Sequence, residues 1–98
     1  MIDYFNRQGE AITYEQYVEL TKDWNSGNGI SKRVAYTVTP DGGYVSTVWL
    51  GMNHGWLNEP ILIFESMKFP ELDCDRYSTE IAAIDGHAAM VARYGGGR

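Results

Sequence analysis

The sequence predicts an α+β domain with a three- to four-stranded antiparallel sheet and two helices packed on one face. Three observations carry that prediction. Two runs, 44–50 and 61–69, concentrate β-branched and aromatic residues between Gly and Pro punctuation, which favours strand over helix. A helix-opening motif stands at Thr13, and a second helical pattern follows Ser78.

Ninety-eight residues make a single domain over 1–98, long enough to bury roughly 60–70% of the surface that the unfolded chain exposes. The hydrophobic fraction is 44%, which gives enough apolar surface to offset chain entropy and sets the chain apart from disordered tails. No apolar run approaches the roughly 20 residues of a membrane span, and no leader pattern opens the chain. One cysteine, Cys74, cannot form an internal disulfide and suits a reducing compartment. The expected location is therefore the cytoplasm.

Taken in order, 3–12 reads as a short lead-in with a turn at Asn6-Arg7-Gln8-Gly9 and extended chain at 10–12. Thr13-Tyr14-Glu15-Gln16 matches a capping box, with Ile12 and Tyr17 at the hydrophobic-staple positions. The helix over 13–24 presents Tyr17, Leu20 and Trp24 at helical spacing and ends in Asn25-Ser26-Gly27-Asn28-Gly29, read as a surface loop. A strand over 32–39 turns through Pro40-Asp41-Gly42-Gly43 into the strand over 44–50, so the two pair as a hairpin. In that second strand Val45, Thr47 and Trp49 share one face, and neither face is cleanly polar. A wide connection over 51–60 leads to the strand over 61–69, where Ile61, Ile63, Met67 and Phe69 share the more apolar face with Glu65. Pro70 closes it. An acidic link over 70–77 precedes the last helix, 79–94, with Ser78 as N-cap and Glu80 in its first turn. Ile81, Ile84, Ala88, Val91 and Ala92 form its apolar stripe, and Gly86 in its interior points to close backbone packing.

Net charge is −5, and between Leu57 and Asp85 seven acids face two bases. Phosphate neutralisation by Lys and Arg supplies most non-specific nucleic-acid affinity, so direct nucleic-acid binding is disfavoured. An acidic surface meets a basic partner or mimics nucleic acid on a protein that binds it; the plainer alternative is a solvated face that confers solubility.

Two groups of residues are candidates for contact. The connection around His54 gathers His54 with Trp49, Trp56 and Glu59, and aromatic residues on loops supply many interface hot spots. The alternative is that Trp49 and Trp56 cap the core. Glu71, Asp73 and Asp75 form the second, acidic group. Cys74, between two carboxylates that raise a thiol pKa, is a poor nucleophile. His54 and His87 lie at no metal-ligand spacing, and the glycine runs lack the context of a phosphate loop, so no metal, cofactor or catalytic residue is expected. Glu65 on an apolar face is an edge or interface residue, with a raised-pKa acid as the sharper alternative. An uncovered sheet face bearing Tyr36 and Trp49 suggests a homodimer or a partner surface, with Tyr14, Tyr44, Trp56 and Tyr94 as further contact candidates.

The chain resembles a family of small uncharacterised proteins encoded by phages, prophages and bacterial mobile elements. The resemblance rests on four places: Tyr4-Phe5 with Gly9 and Ile12-Thr13; Val45-Ser46-Thr47-Val48-Trp49-Leu50-Gly51 with His54; Ile63-Phe64-Glu65 with Met67 and Phe69; and Arg76-Tyr77-Ser78-Thr79-Glu80 with Gly86-His87. It implies a phage-type accessory protein that binds a host protein or protein–nucleic acid complex, as an anti-CRISPR or other anti-defence inhibitor does. A small enzyme or ligand binder using the His54 loop, and a homo-oligomeric structural protein, are the alternatives.

Overall fold

The computed structural model describes residues 3–23, 32–53 and 60–97; Trp24, the 25–29 loop and most of the His54 loop fall outside them. Strands β1 (Tyr4–Phe5) and β2 (Ala11–Ile12) pair antiparallel across the expected turn. There Asn6 Oδ1 accepts hydrogen bonds from the amides of Gln8 and Glu10. Helix α1 (Tyr14–Thr21) opens with the capping box read from the sequence: Thr13 Oγ1 accepts from the Gln16 amide at 3.1 Å, and Gln16 Oε1 accepts from the Thr13 amide at 2.9 Å. Its expected stripe is anchored by Tyr17, whose hydroxyl donates to the Leu50 carbonyl and whose ring lies 5.9 Å from that of Trp49, whereas Leu20 is half exposed.

Strands β3 (Arg33–Val38), β4 (Tyr44–Trp49), β5 (Phe64–Phe69) and β6 (Asp73–Tyr77) form one antiparallel sheet in chain order. β6 lies in the stretch read as an acidic link. Asp-Cys-Asp-Arg-Tyr carries almost no strand propensity of its own. Its pairing with β5, Lys68 opposite Asp73 and Ser66 opposite Asp75, makes it a strand. β5 in turn begins three residues later than expected, because the chain ahead of it is held otherwise, with the Leu62 amide bonded to Asn53 Oδ1.

Helix α2 (Glu80–Arg93) covers one face of this sheet and touches all four strands. Its N-cap is Thr79, not Ser78: the Thr79 hydroxyl accepts from the Ala82 amide. The side of α2 that meets the sheet is also not the expected one. Ala83, His87 and Met90 are buried, while Ile81 and Ile84 are 76% and 50% exposed and Ala88 and Ala92 face outward. The cause lies in the sheet. Its centre under α2 is made of Thr47 and Ser66, hydroxyls that need hydrogen bonds an isoleucine cannot give. His87 bonds Thr47 and Thr37 instead, and Gly86 admits the Tyr77 ring where any Cβ would overlap it. At one end of that face Trp49, Ile63, Phe64 and Ala83 form the core, closed by Phe5, Tyr17, Val34, Ile61 and Tyr77. Among the described residues no helix is long and apolar enough to cross a membrane.

Candidate functional site

The residues singled out in the sequence part company in the fold. Trp49 is 1% exposed, with its indole N–H donating to the Phe5 carbonyl at 3.1 Å, so it is a core residue and offers no surface of its own. His54, Trp56 and Glu59 lie outside the described residues. Glu71 and Asp73 sit at the opposite end of the sheet from the core and Asp75 beside Ser66 at its centre, and each is held in an ion pair. Asp73 and Asp75 point to the α2 side, where Arg93 bridges them with Nη1 at 2.8 Å and Nη2 at 2.7 Å, and Tyr94 donates to Asp73.

Glu71 belongs to a second knot around Lys68. That side chain has no exposed surface, and its amine donates to Asp41 at 2.9 Å, Glu71 at 2.6 Å and the Phe69 carbonyl at 3.0 Å, 4.5 Å from the centre of the Tyr94 ring. All three ammonium hydrogens are matched. Burial alone would lower the Lys68 pKa; the hydrogen bonds it donates to Glu71 and Asp41 outweigh that and raise the amine above its ordinary value. Asp41 lies well below the usual carboxylate range, held there by the Thr39 hydroxyl first, then by Lys68 and the Gly43 amide. The acidic stretch of the sequence is therefore largely internal bracing between the two turns and the end of α2.

Beneath α2 runs a chain of hydrogen bonds: Ser66 Oγ to Thr47 Oγ1, Thr47 Oγ1 to His87 Nδ1 at 2.7 Å, and His87 Nε2 to Thr37 Oγ1 at 2.8 Å. A serine, a threonine and a histidine in line suggest nucleophilic chemistry. Their burial argues otherwise, since Thr47 and Ser66 have no exposed surface and His87 only 7%. No substrate reaches them without lifting α2. Burial lowers the His87 pKa, which keeps the imidazole neutral. A cleft of about 520 Å³ does open at the N-terminus of α2, between Arg7, Ile61, Thr79 and Ile81. Among the described residues that line it, the one acid, Glu80, is taken up by Arg7 at 2.6 Å, and none is a His or Cys. Among the described residues no group of three His, Cys, Asp or Glu is placed to hold a metal ion.

What remains is the sheet face that α2 leaves uncovered. The register puts Val38, Tyr44 and Phe69 in one row across it, Tyr36, Ser46, Met67 and Cys74 in the next, and Arg33, Val48, Glu65 and Arg76 in the third. Tyr36 is 49% exposed. Its ring stands 5.2 Å from Tyr44, which stacks on Phe69 at 4.8 Å, and the Arg33 guanidinium lies 5.5 Å over Tyr36. Glu65, expected at a strand edge or an interface, lies on the inner strand β5 and on this face, where it accepts from Arg76 Nε at 3.0 Å. Cys74 shares the face; its thiol is pushed up by burial first and then by Glu65, which disfavours the thiolate. The sequence pointed to the flanking aspartates for that shift; Asp75 does contribute to it, but less than Glu65 on the neighbouring strand.

Sequence reasoning identified Tyr36 and Tyr44 as contact candidates but attached the weight of the site to the acids and the tryptophans. The alternation in β5 held the missing signal. Met67 and Phe69, on its more apolar side, are the ones turned away from α2, and that is an inversion only the partner strands reveal. Comparison with known proteins brings no match to a family model, a curated protein or a solved structure.

Proposed function

We propose that this chain is a non-enzymatic binding protein that acts by occupying a surface on a host macromolecule, and that its contact surface is the open face of the four-stranded sheet. The observation that carries this reading is the run of adjoining, partly exposed rings Tyr36, Tyr44 and Phe69 on a sheet face that no described element covers. Soluble domains cover such faces or use them, because a contiguous apolar patch is otherwise a liability. Large rigid rings lose little entropy on docking and supply much of the energy of known interfaces. The burial of His87, Thr47 and Ser66 supports a contact role over a catalytic one. So does the ion pairing of Glu71, Asp73 and Asp75, which leaves the acids less available for a partner than their spacing implied. In the phage-type setting that the sequence resembles, the occupied molecule belongs to host defence, and an anti-CRISPR-like inhibitor is the specific form of the proposal.

A plating assay tests it. Bacteria whose CRISPR system targets a phage are transformed with the wild-type chain or with Tyr36→Ser/Tyr44→Ser, and plaque counts are compared across several system types. Restored plating by the wild type and loss of that effect in a variant with an unchanged circular dichroism spectrum supports the reading. Equal effects of the two proteins would remove the open face from it, and no effect in any defence background would remove the anti-defence role.

A further inference from the structure

The open face differs from the rest of the molecule in sign as well as in polarity. Its charged row holds Arg33 and Arg76 against Glu65, so it is net positive in a chain of net charge −5. The acids nearest to it in sequence, Asp73 and Asp75, point through the sheet to the α2 side and to Arg93. Apolar and basic groups are also segregated along the strands. From Phe69 to Glu65 is four residues, or about 13 Å of strand.

We infer that the open face receives an acidic amphipathic segment of a partner protein, with apolar side chains over Tyr44 and Phe69 and carboxylates about 13 Å further on, facing Arg33 and Arg76. The inference rests on the open face being the contact surface. A carboxylate there completes the guanidinium of Arg76, whose Nε already serves Glu65.

The same geometry disfavours two other occupants. A second copy of this chain meets the face badly. A twofold axis along the strands exchanges β3 with β6 and sets Arg33 over the copy's Arg76. A twofold axis across them lays the apolar row on the charged row. Single-stranded nucleic acid needs open ring faces for its bases. Tyr44 is flanked by rings on both sides, and Tyr36 by Tyr44 and the Arg33 guanidinium, so the row presents ring edges.

Peptide display tests the inference. A random library of 14-residue peptides is selected against the wild-type chain, and recovered peptides are titrated against the wild type, Arg33→Glu, Arg33→Glu/Arg76→Glu and Tyr36→Ser/Tyr44→Ser. Poly-dT and light scattering are run in parallel, and thermal melts confirm that each variant is folded. The expected result is a set rich in Asp and Glu with Leu, Phe or Trp, losing about tenfold in affinity with each arginine reversed and weakening as salt rises. Peptides of neutral or basic composition that depend on Tyr36 and Tyr44 would overturn the acidic partner and leave the face as the contact surface. Peptides indifferent to all four substitutions would overturn both. Tight poly-dT binding, or a stable dimer broken by Tyr36→Ser/Tyr44→Ser, would replace the partner by nucleic acid or by a second copy.

Discussion

At the scale of single residues, His87 links the fold to pH. A neutral imidazole has one donor and one acceptor nitrogen, which the hydroxyls of Thr37 and Thr47 match, and burial holds its pKa below the ordinary 6.5. The unfolded chain therefore takes up the proton first as pH falls. The stability tied to His87 is complete above the unfolded value and is lost as pH drops through the folded one, with a slope of at most about 1.4 kcal/mol per pH unit. Urea midpoints of the wild type are expected to fall between about pH 7.5 and pH 5.5, and those of His87→Gln to change distinctly less. Parallel curves for the two proteins would mean that another group carries the dependence.

For the elements, the orientation of α2 makes opposite predictions for two kinds of side chain. Ile81→Ser and Ile84→Ser are expected to change unfolding free energy by no more than about 0.5 kcal/mol each, because both residues lie largely in water. Gly86→Ala, which gains about 1 kcal/mol of helix propensity, should still destabilise by about 1–2 kcal/mol, because the new methyl overlaps the Tyr77 ring. A stripe buried as the sequence implied would reverse the order, and chemical denaturation of the three variants decides it. The helices, both caps apart from the one-residue shift to Thr79, and the β3–β4 hairpin were legible because they depend on local chemistry: hydroxyls at N-caps, turn residues, periodicity. The rotation of α2 was not, because it is set by Thr47 and Ser66 on strands far along the chain. β6 was hidden for a similar reason, its strand character being conferred by β5.

Over the whole molecule, the charge balance inverts a simple expectation. With a net charge of −5, removing a carboxylate should relieve repulsion. Because Glu71, Asp73 and Asp75 pair with Lys68 and Arg93, the substitutions Glu71→Gln, Asp73→Asn and Asp75→Asn are each expected to lower the melting midpoint, with the effect shrinking at high salt for the partly exposed Arg93 pairs. A rise in midpoint for any of them would show that pair to be dispensable. The candidate site was legible only in its parts: the aromatic residues stand out in composition, but their assembly with Arg33 and Arg76 on one face depends on the register of four strands. The acids drew attention because they cluster in sequence, and the fold spends that cluster on its own cohesion.

The hydroxyl-lined centre of the sheet has a consequence for the chain while it is being made. α2 follows all four strands in the chain, so the sheet can pair before its cover exists. In many domains such an interval leaves a greasy surface waiting for its lid. Here the waiting surface is wettable over Thr37, Thr47, Ser66 and Lys68, and the aromatic end around Trp49 and Phe64 is met by Phe5 of β1 and Tyr17 of α1, which precede the sheet in the chain, before Ala83 of α2 joins them. A nascent sheet of this design is expected to present hydroxyls and an amine on that side, in place of a continuous apolar surface, until α2 follows.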